Sequence, residues 1–544
     1  MRKFSCCVLA CCAFAASALA VPRFGSVFTA DVAELGLQAQ VDGSAIFGDA
    51  RLSVRFDRAT GFPSDYAVDG VRVLTGDASF PSPAVVGQPH DRVPGSETPV
   101  AVACAEAPVR VAADEVRSST RVGDWRIDTF VRLLPDTRMV RRRFDVTWLG
   151  AAATGKLERV WILAGQMPCQ DGKGAYLLPG RFPPTSRAAK DFRPGRAAWT
   201  GLKFASHTPV IASGSDGRSV LSANDETVPF GERTQSCAVE RRDGVSLATI
   251  FECYGWMPRG VPQRVGDQWL AFGDGDCEAA LRRMPQWFAA VGQHVPADRP
   301  ESIKDVALYS DHPCSVGEIG PAKLGFSFIS GYLPYLKALG FNTVWLRPVE
   351  DASPYNPRDY YKLQANVGTE DDFRAYVNRA HGLGLRVWRD AVSHGGRNDT
   401  ARALAHPEWL ARHEDGSVDA FWCYDFYAAT WIDYMRAFVR HETAKYGLDG
   451  WRLDAPSGSR YPNWSRTIPY ARASFAQAQG SLAMTRAMRE GLRQANPNGV
   501  TLSEAHMSVH ATVADAIYDE WGVAANFLSA LAQGEIGEVV GQYR

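Results

Sequence analysis

Three acidic residues, Asp390, Asp454 and Glu504, each end a short apolar run, and helical patterns fill much of the chain between those runs. Apolar runs that alternate with helical stretches mark repeated βα units, and a series of such units closes as a parallel (β/α) barrel. The runs at 306–309, 342–346, 385–392, 450–454 and 500–504 are expected strands, and a sixth begins at 516–518. Of the helices, 332–339 carries Leu333, Leu336 and Leu339 on one stripe and stops at Gly340. The next begins at Thr369, a capping residue followed by Glu370, Asp371 and Asp372, and stops at Gly384. Catalytic groups of such barrels sit at the C-terminal ends of the strands, where all three acids fall.

The centre of this half is Gly450-Trp451-Arg452-Leu453-Asp454. Side chains alternate along a strand, so Arg452 and Asp454 point the same way. A guanidinium beside a carboxylate favours its charged form, which suits a nucleophile. An isolated Arg-x-Asp is more often a surface pair. Here Asp390 stands 64 positions earlier and Glu504 stands 50 later, and that company turns the reading toward a site.

Residues 21–295 read as all-β. Runs at 51–56, 125–131 and 144–148 alternate apolar and polar residues, and turn clusters such as 168–172 and 214–217 separate them. A stretch of this length made of short strands is expected to form one large sandwich. It holds no catalytic constellation, and Arg141 to Arg143 read as a solvated strand edge in preference to a ligand patch. A helix over 279–291 is expected to be interrupted near Pro285. Residues 294–302 then read as the linker to a second domain at 303–544.

Composition narrows the partners. A formal charge of -1 argues against nucleic acid or an anionic membrane surface. The 15 Trp, 18 Tyr and 26 Phe fit a sugar-binding protein, as they also fit large cores. Residues 1–20 read as a signal peptide: Arg2 and Lys3, an apolar run over 6–16, then Ala18-Leu19-Ala20 as the cleavage site, preferred to a lipoprotein site at Cys11. No later run reaches the roughly 18 apolar residues that span a membrane, and a secreted or periplasmic protein is expected. Cleavage leaves Cys104, Cys169, Cys237, Cys253, Cys277, Cys314 and Cys423. The number is odd and no C-x-x-C spacing occurs, which argues against zinc and leaves at least one thiol without an intramolecular partner.

From about 332 to 504 the chain resembles the α-amylase family of glycoside hydrolases. Tyr355-Asn356-Pro357-Arg358-Asp359-Tyr360-Tyr361 is similar to the family's Gly-Tyr-Asp-x-x-Asp-Tyr, and Asp390-Ala391-Val392-Ser393-His394 to its Asp-x-x-x-Asn-His. The 450–454 stretch matches Gly-x-Arg-x-Asp, and Glu504 matches the lone glutamate after strand five. The run 136–148 resembles strands of the galactose-mutarotase-like sandwiches that precede some glycosidase barrels. Together these imply an N-terminal all-β supersandwich followed by an incomplete (β/α)8 TIM-type barrel. The resemblance makes Asp454 the nucleophile that forms a covalent glycosyl-enzyme, and Glu504 the acid and then the base. It has Arg452 hold Asp454 ionised, Tyr355 stack on the sugar at the cleaved bond, and Asp390 orient the site. Two carboxyls about 5–5.5 Å apart, one ionised and one protonated, give retention.

Three departures accompany the resemblance. His394 falls at the family's Asn position and Gly395 at its His position; His394 either reaches the sugar or caps a loop. The Asn position often helps bind calcium in the family, so calcium has no support here, and no other metal or cofactor is expected. Asn356 replaces the Asp of the Tyr-Asp pair. The family's third carboxylate, an aspartate preceded by His after strand seven, has no match in the 40 residues (544 − 504) that follow Glu504. Asp515 and Asp519 come too soon, strands seven and eight are missing, and the expectation is a truncated product or fragment.

Around the mouth stand Trp345, Trp388, Trp422, Tyr424, Trp451 and Trp464. One or two are expected to stack on sugar, whereas Trp345 and Trp388, within strands, are expected in the core. The expected function is retaining hydrolysis of α-glucosidic bonds in oligo- or polysaccharides. A transglycosylase uses the same residues with a sugar as acceptor, and a non-catalytic glycan-binding protein accounts for the missing carboxylate. The expected partner is a carbohydrate, and the sequence sets no oligomeric state.

Overall fold

The computed structural model describes residues 34–77, 79, 83–86, 101–178, 185–199, 209–225, 233–313, 325–353, 355–413, 415–418, 424–426, 428–456, 479–504 and 508–517. The expected signal at 1–20 lies outside the described residues, as do Cys314, Trp422, Cys423, Trp464 and Asp519.

In the first half the alternating runs become antiparallel strands in three sheets: five strands from Gly36–Ala39 to Val71–Leu74, then sheets of nine and five. Met139–Trp148 lies inside the nine-stranded sheet, paired with Trp125–Leu134 on one side and Gln263–Asp274 on the other. Val140 shares a core with Leu133 and Leu270 of its own sheet and with Ala164, Met167 and Leu247 of the second five-stranded sheet. The two sheets therefore face each other across buried aliphatic side chains, worth about 1.5–3 kcal/mol for each large one fully buried.

This interior position overturns the reading of Arg141 to Arg143 as a solvated edge. Alternation puts Arg141 and Arg143 outside, against Asp267 and the Phe130 ring, and turns Arg142 inward, where it is fully buried. The Arg142 guanidinium donates two 2.9 Å hydrogen bonds to the carbonyl of Leu163, which borders a β-bulge, and lies 5.2 Å from the Phe62 and Phe144 ring centres. Burial lowers its pKa. A guanidinium is weakly hydrated and stacks on rings, so it tolerates such a place better than an ammonium. Arg142→Ala, which empties this slot, is expected to cost about 2–4 kcal/mol, read as a lower urea midpoint at unchanged slope.

The helix Cys277–Ala290 also departs from expectation, running through Pro285 without a break. A proline inside a helix costs about 3 kcal/mol; packing of Ala280 and Trp287 against Trp269 and Ala271 offsets it.

In the second half six strands form one parallel sheet in sequence order: β1 (Leu308–Asp311), β2 (Thr343–Leu346), β3 (Arg386–Val392), β4 (Gly450–Asp454), β5 (Val500–Ser503) and β6 (Ala516–Ile517). Among the helices between them are α1 (Glu370–Gly382), α2 (Ala429–Tyr446) and α3 (Gln479–Ala495). Thr369 and Asp372 form a complete capping box at the start of α1. Gly447 ends α2 at φ +69°, the left-handed turn that favours glycine. This is a TIM-barrel-like arrangement behind a β-rich first half. Trp345 and Trp388 pack with Val500 and Leu502, the core role expected of them. Trp451 does not face the mouth: it is buried, and its indole N–H donates to Thr443 of α2 at 2.8 Å.

Candidate active site

Strand register assembles the site. β4 pairs Arg452 with Asp390 and Asp454 with Val392 of β3, and pairs Leu453 with Ser503 of β5. Gly450 lets the strands close, since a Cβ there would lie 2.5 Å from the Val500 carbonyl and 2.7 Å from the Trp388 ring. Glu504 follows β5, its N–H donating to the Leu453 carbonyl at 3.0 Å.

Arg452 is the hub. Its side chain is 4% exposed and lies over the Trp345 ring, 5.0 Å from the centroid. Nη1 donates to both oxygens of Asp390 at 3.1 Å and to Oδ1 of Asp454, while Nη2 lies 2.7 Å from Oε2 of Glu504. Asp454 and Glu504 also hydrogen-bond each other.

Three carboxyls in a buried site with one arginine divide between ionised and protonated forms. Burial raises the pKa of Asp454, but the Arg452 charge and the His394 hydrogen bond outweigh it and bring it to about 2. At Glu504 burial wins, with the Asp454 charge adding, and the pKa rises to about 8 against the pull of Arg452. Asp390, fully buried, rises to about 8 through burial and the Asp454 charge, again against Arg452.

The remaining sequence-selected residues join the same cluster. Tyr355 donates from Oη to Oδ2 of Asp390 at 3.3 Å. His394, 1% exposed, has Nε2 2.8 Å from Oδ2 of Asp454. Other participants were not legible in the sequence. Ala455 holds φ +38° and donates its N–H to Oε2 of Glu504 at 2.9 Å, and Ser393 Oγ donates to the Asp454 carbonyl at 2.6 Å. Tyr355 too is at φ +62°. Non-glycine residues in this region are strained and are kept where the surroundings demand them. Asp515 stands apart, as its spacing implied: it is buried against Arg489, Arg493 and Thr501. Among the described residues no group of three or more His, Cys, Asp or Glu is arranged to hold a metal ion.

Residues 326–428, which include Tyr355 and 390–394, match the α-amylase catalytic domain. Over 153 residues the chain is 33% identical to the chloroplastic α-amylase 3 of Arabidopsis thaliana, which is 23% of this chain and 17% of that one. Over 237 residues it is 28% identical to a 1,4-α-glucan branching enzyme of Nocardia farcinica, covering 40% of this chain and 30% of the relative. The chain thus spans less than a third of the length of either relative. In fold it is similar to the α-N-acetylgalactosaminidase of Bifidobacterium bifidum, at TM-score 0.60 and 13% identity over 86% of this chain and 78% of that one. The catalytic-domain match and these relatives make this part of the chain similar to the α-amylase family of glycoside hydrolases.

Proposed function

We propose that the protein is a retaining glycoside hydrolase acting on α-glucosidic bonds of oligo- or polysaccharides. The observation that carries this is the pair of carboxyls on Arg452: at neutral pH Asp454 is ionised and Glu504 protonated. Asp454 attacks the anomeric carbon while Glu504 gives its proton to the leaving oxygen. A covalent glycosyl-enzyme forms. Glu504, now a carboxylate, takes a proton from water, and that water attacks the same carbon and releases Asp454. Two inversions leave the configuration as it began. Arg452 keeps the nucleophile charged, Asp390 holds Arg452 and Tyr355 in place, and Tyr355 stacks on the sugar at the cleaved bond. In this reading 21–295 is a β-sandwich domain, 303–544 carries the chemistry, and residues 1–20 direct export.

The test is a panel of α- and β-linked glycans with the first-formed anomer followed by NMR. Cleavage of α-glucans to α-configured product supports the proposal; cleavage of β-glycans alone, or an inverted product, removes it. Products transferred to an added oligosaccharide in place of water identify a transglycosylase. Because Asp454 must be charged and Glu504 protonated, kcat/KM is expected to hold through neutral pH and fall above about pH 8. A pH profile that keeps rising past that point would separate Glu504 from the acid step.

A further inference from the structure

We propose that His394 is a positioning residue for the nucleophile, holding the oxygen of Asp454 that Arg452 leaves, so that the carboxylate is fixed between two donors. The inference rests on the glycosidase reading of the site. Arg452 Nη1 engages Oδ1 of Asp454, and His394 Nε2 sits 2.8 Å from Oδ2. Both partners are buried, His394 at 1% and Asp454 at 6% exposure, where a hydrogen bond to a charge is little weakened by water.

The loop that presents the imidazole is held at several points. Trp431 Nε1 donates to the Ser393 carbonyl at 3.2 Å, Ser393 Oγ donates to the Asp454 carbonyl, and the Tyr424 N–H donates to the His394 carbonyl at 3.1 Å. The next two positions admit no side chain. At Gly395, φ is +103° and a Cβ would lie 2.4 Å from the Tyr424 ring; at Gly396 it would lie 2.2 Å from the Pro357 carbonyl. The imidazole therefore enters the site from position 394, and it meets the nucleophile there.

This arrangement fixes the rotation of the carboxylate, and so which oxygen faces the sugar. Oδ2 carries more charge in the free carboxylate than in the glycosyl ester, so the His394 bond strengthens as Asp454 departs, which favours release of the intermediate. Among the described residues, the titratable groups facing Asp454 include Arg452 on its own strand, Asp390 on β3, Glu504 after β5, Tyr355, Tyr360 and His394 itself. Without His394, the Arg452 charge and the Glu504 hydrogen bond are left to oppose burial, and the nucleophile's pKa moves up.

Two substitutions in the full chain test this. His394→Leu removes the donor; His394→Gln keeps an N–H at similar reach. With Leu, the acid limb of kcat/KM is expected to move up by about one pH unit and kcat to fall about 100-fold, with the glycosyl-enzyme accumulating in a pre-steady-state burst. With Gln, the rate returns to within about tenfold of wild type. An acid limb that stays in place in an active His394→Leu enzyme overturns the proposal, as does equal loss in both variants.

A third measurement does not depend on turnover. In 15N-histidine spectra of the full chain, the signal missing from His394→Gln is expected to show a proton on Nε2, and Asp454→Ala is expected to change it. A signal unchanged by Asp454→Ala overturns the placement. If the glycan panel shows no cleavage, the functional reading fails, and these spectra still decide where His394 binds.

Discussion

Asp454→Asn is expected to lower α-glucan hydrolysis by about 10³-fold or more in a chain that remains folded. The carboxamide has nearly the shape of the carboxylate and cannot attack the anomeric carbon. Folding survives because Arg452 keeps Asp390 and Glu504 as partners. The substitution also removes the negative charge that helps raise Glu504, so any residual activity is expected to lose its alkaline limb at lower pH. Circular dichroism checks the fold, and single turnovers with an α-glucosyl fluoride check the chemistry. Turnover within tenfold of wild type would mean that another group attacks.

Arg452→Met is expected to reach both stability and activity. It leaves two buried carboxyls and the half-buried Glu504 without the cation they share, and removing one partner of a buried ion pair typically costs about 3–5 kcal/mol. The sign with pH follows from the shifts. Asp390 and Glu504 are raised to about 8 in the folded protein, so what they add to stability is present below their ordinary range near 4 and is lost as pH rises through 8. Asp454 is lowered to about 2, so its contribution is present above the ordinary range and lost as pH falls toward 2. Without Arg452 the force that lowers Asp454 is gone, and all three groups favour the protonated state. The variant is therefore expected to lose more stability at pH 8 than at pH 5, read from urea midpoints at the two values. Equal losses would show that Arg452 is not the counter-charge they share.

Much of this site was legible because it follows from strand periodicity and little else. Parallel strands appear as compact apolar runs, so β2, β3, β4 and β5 fell within a residue or two of their expected places. The Arg452–Asp454 relation needed only alternation along β4. The same alternation put Trp451 behind the strand, where the structure has it, although its nearness to the mouth in sequence suggested a sugar contact. The failures have a different cause. Whether Arg141 to Arg143 lie at an edge or in the interior depends on Gln263–Asp274, more than a hundred residues away, and no local pattern shows that pairing. The aim of His394 depends on a loop path set by Tyr424 and Pro357. The backbone twist at Ala455 leaves no mark in a sequence, because alanine is an unremarkable residue and only the fold forces its φ.

The shared guanidinium has a consequence for how such a site can change over generations. Asp390, Asp454 and Glu504 are wired to one donor, so the effect of altering any of them depends on which of the others are present. Substitutions within this quartet are therefore expected to be strongly non-additive, so that a second change is tolerated or not according to the first.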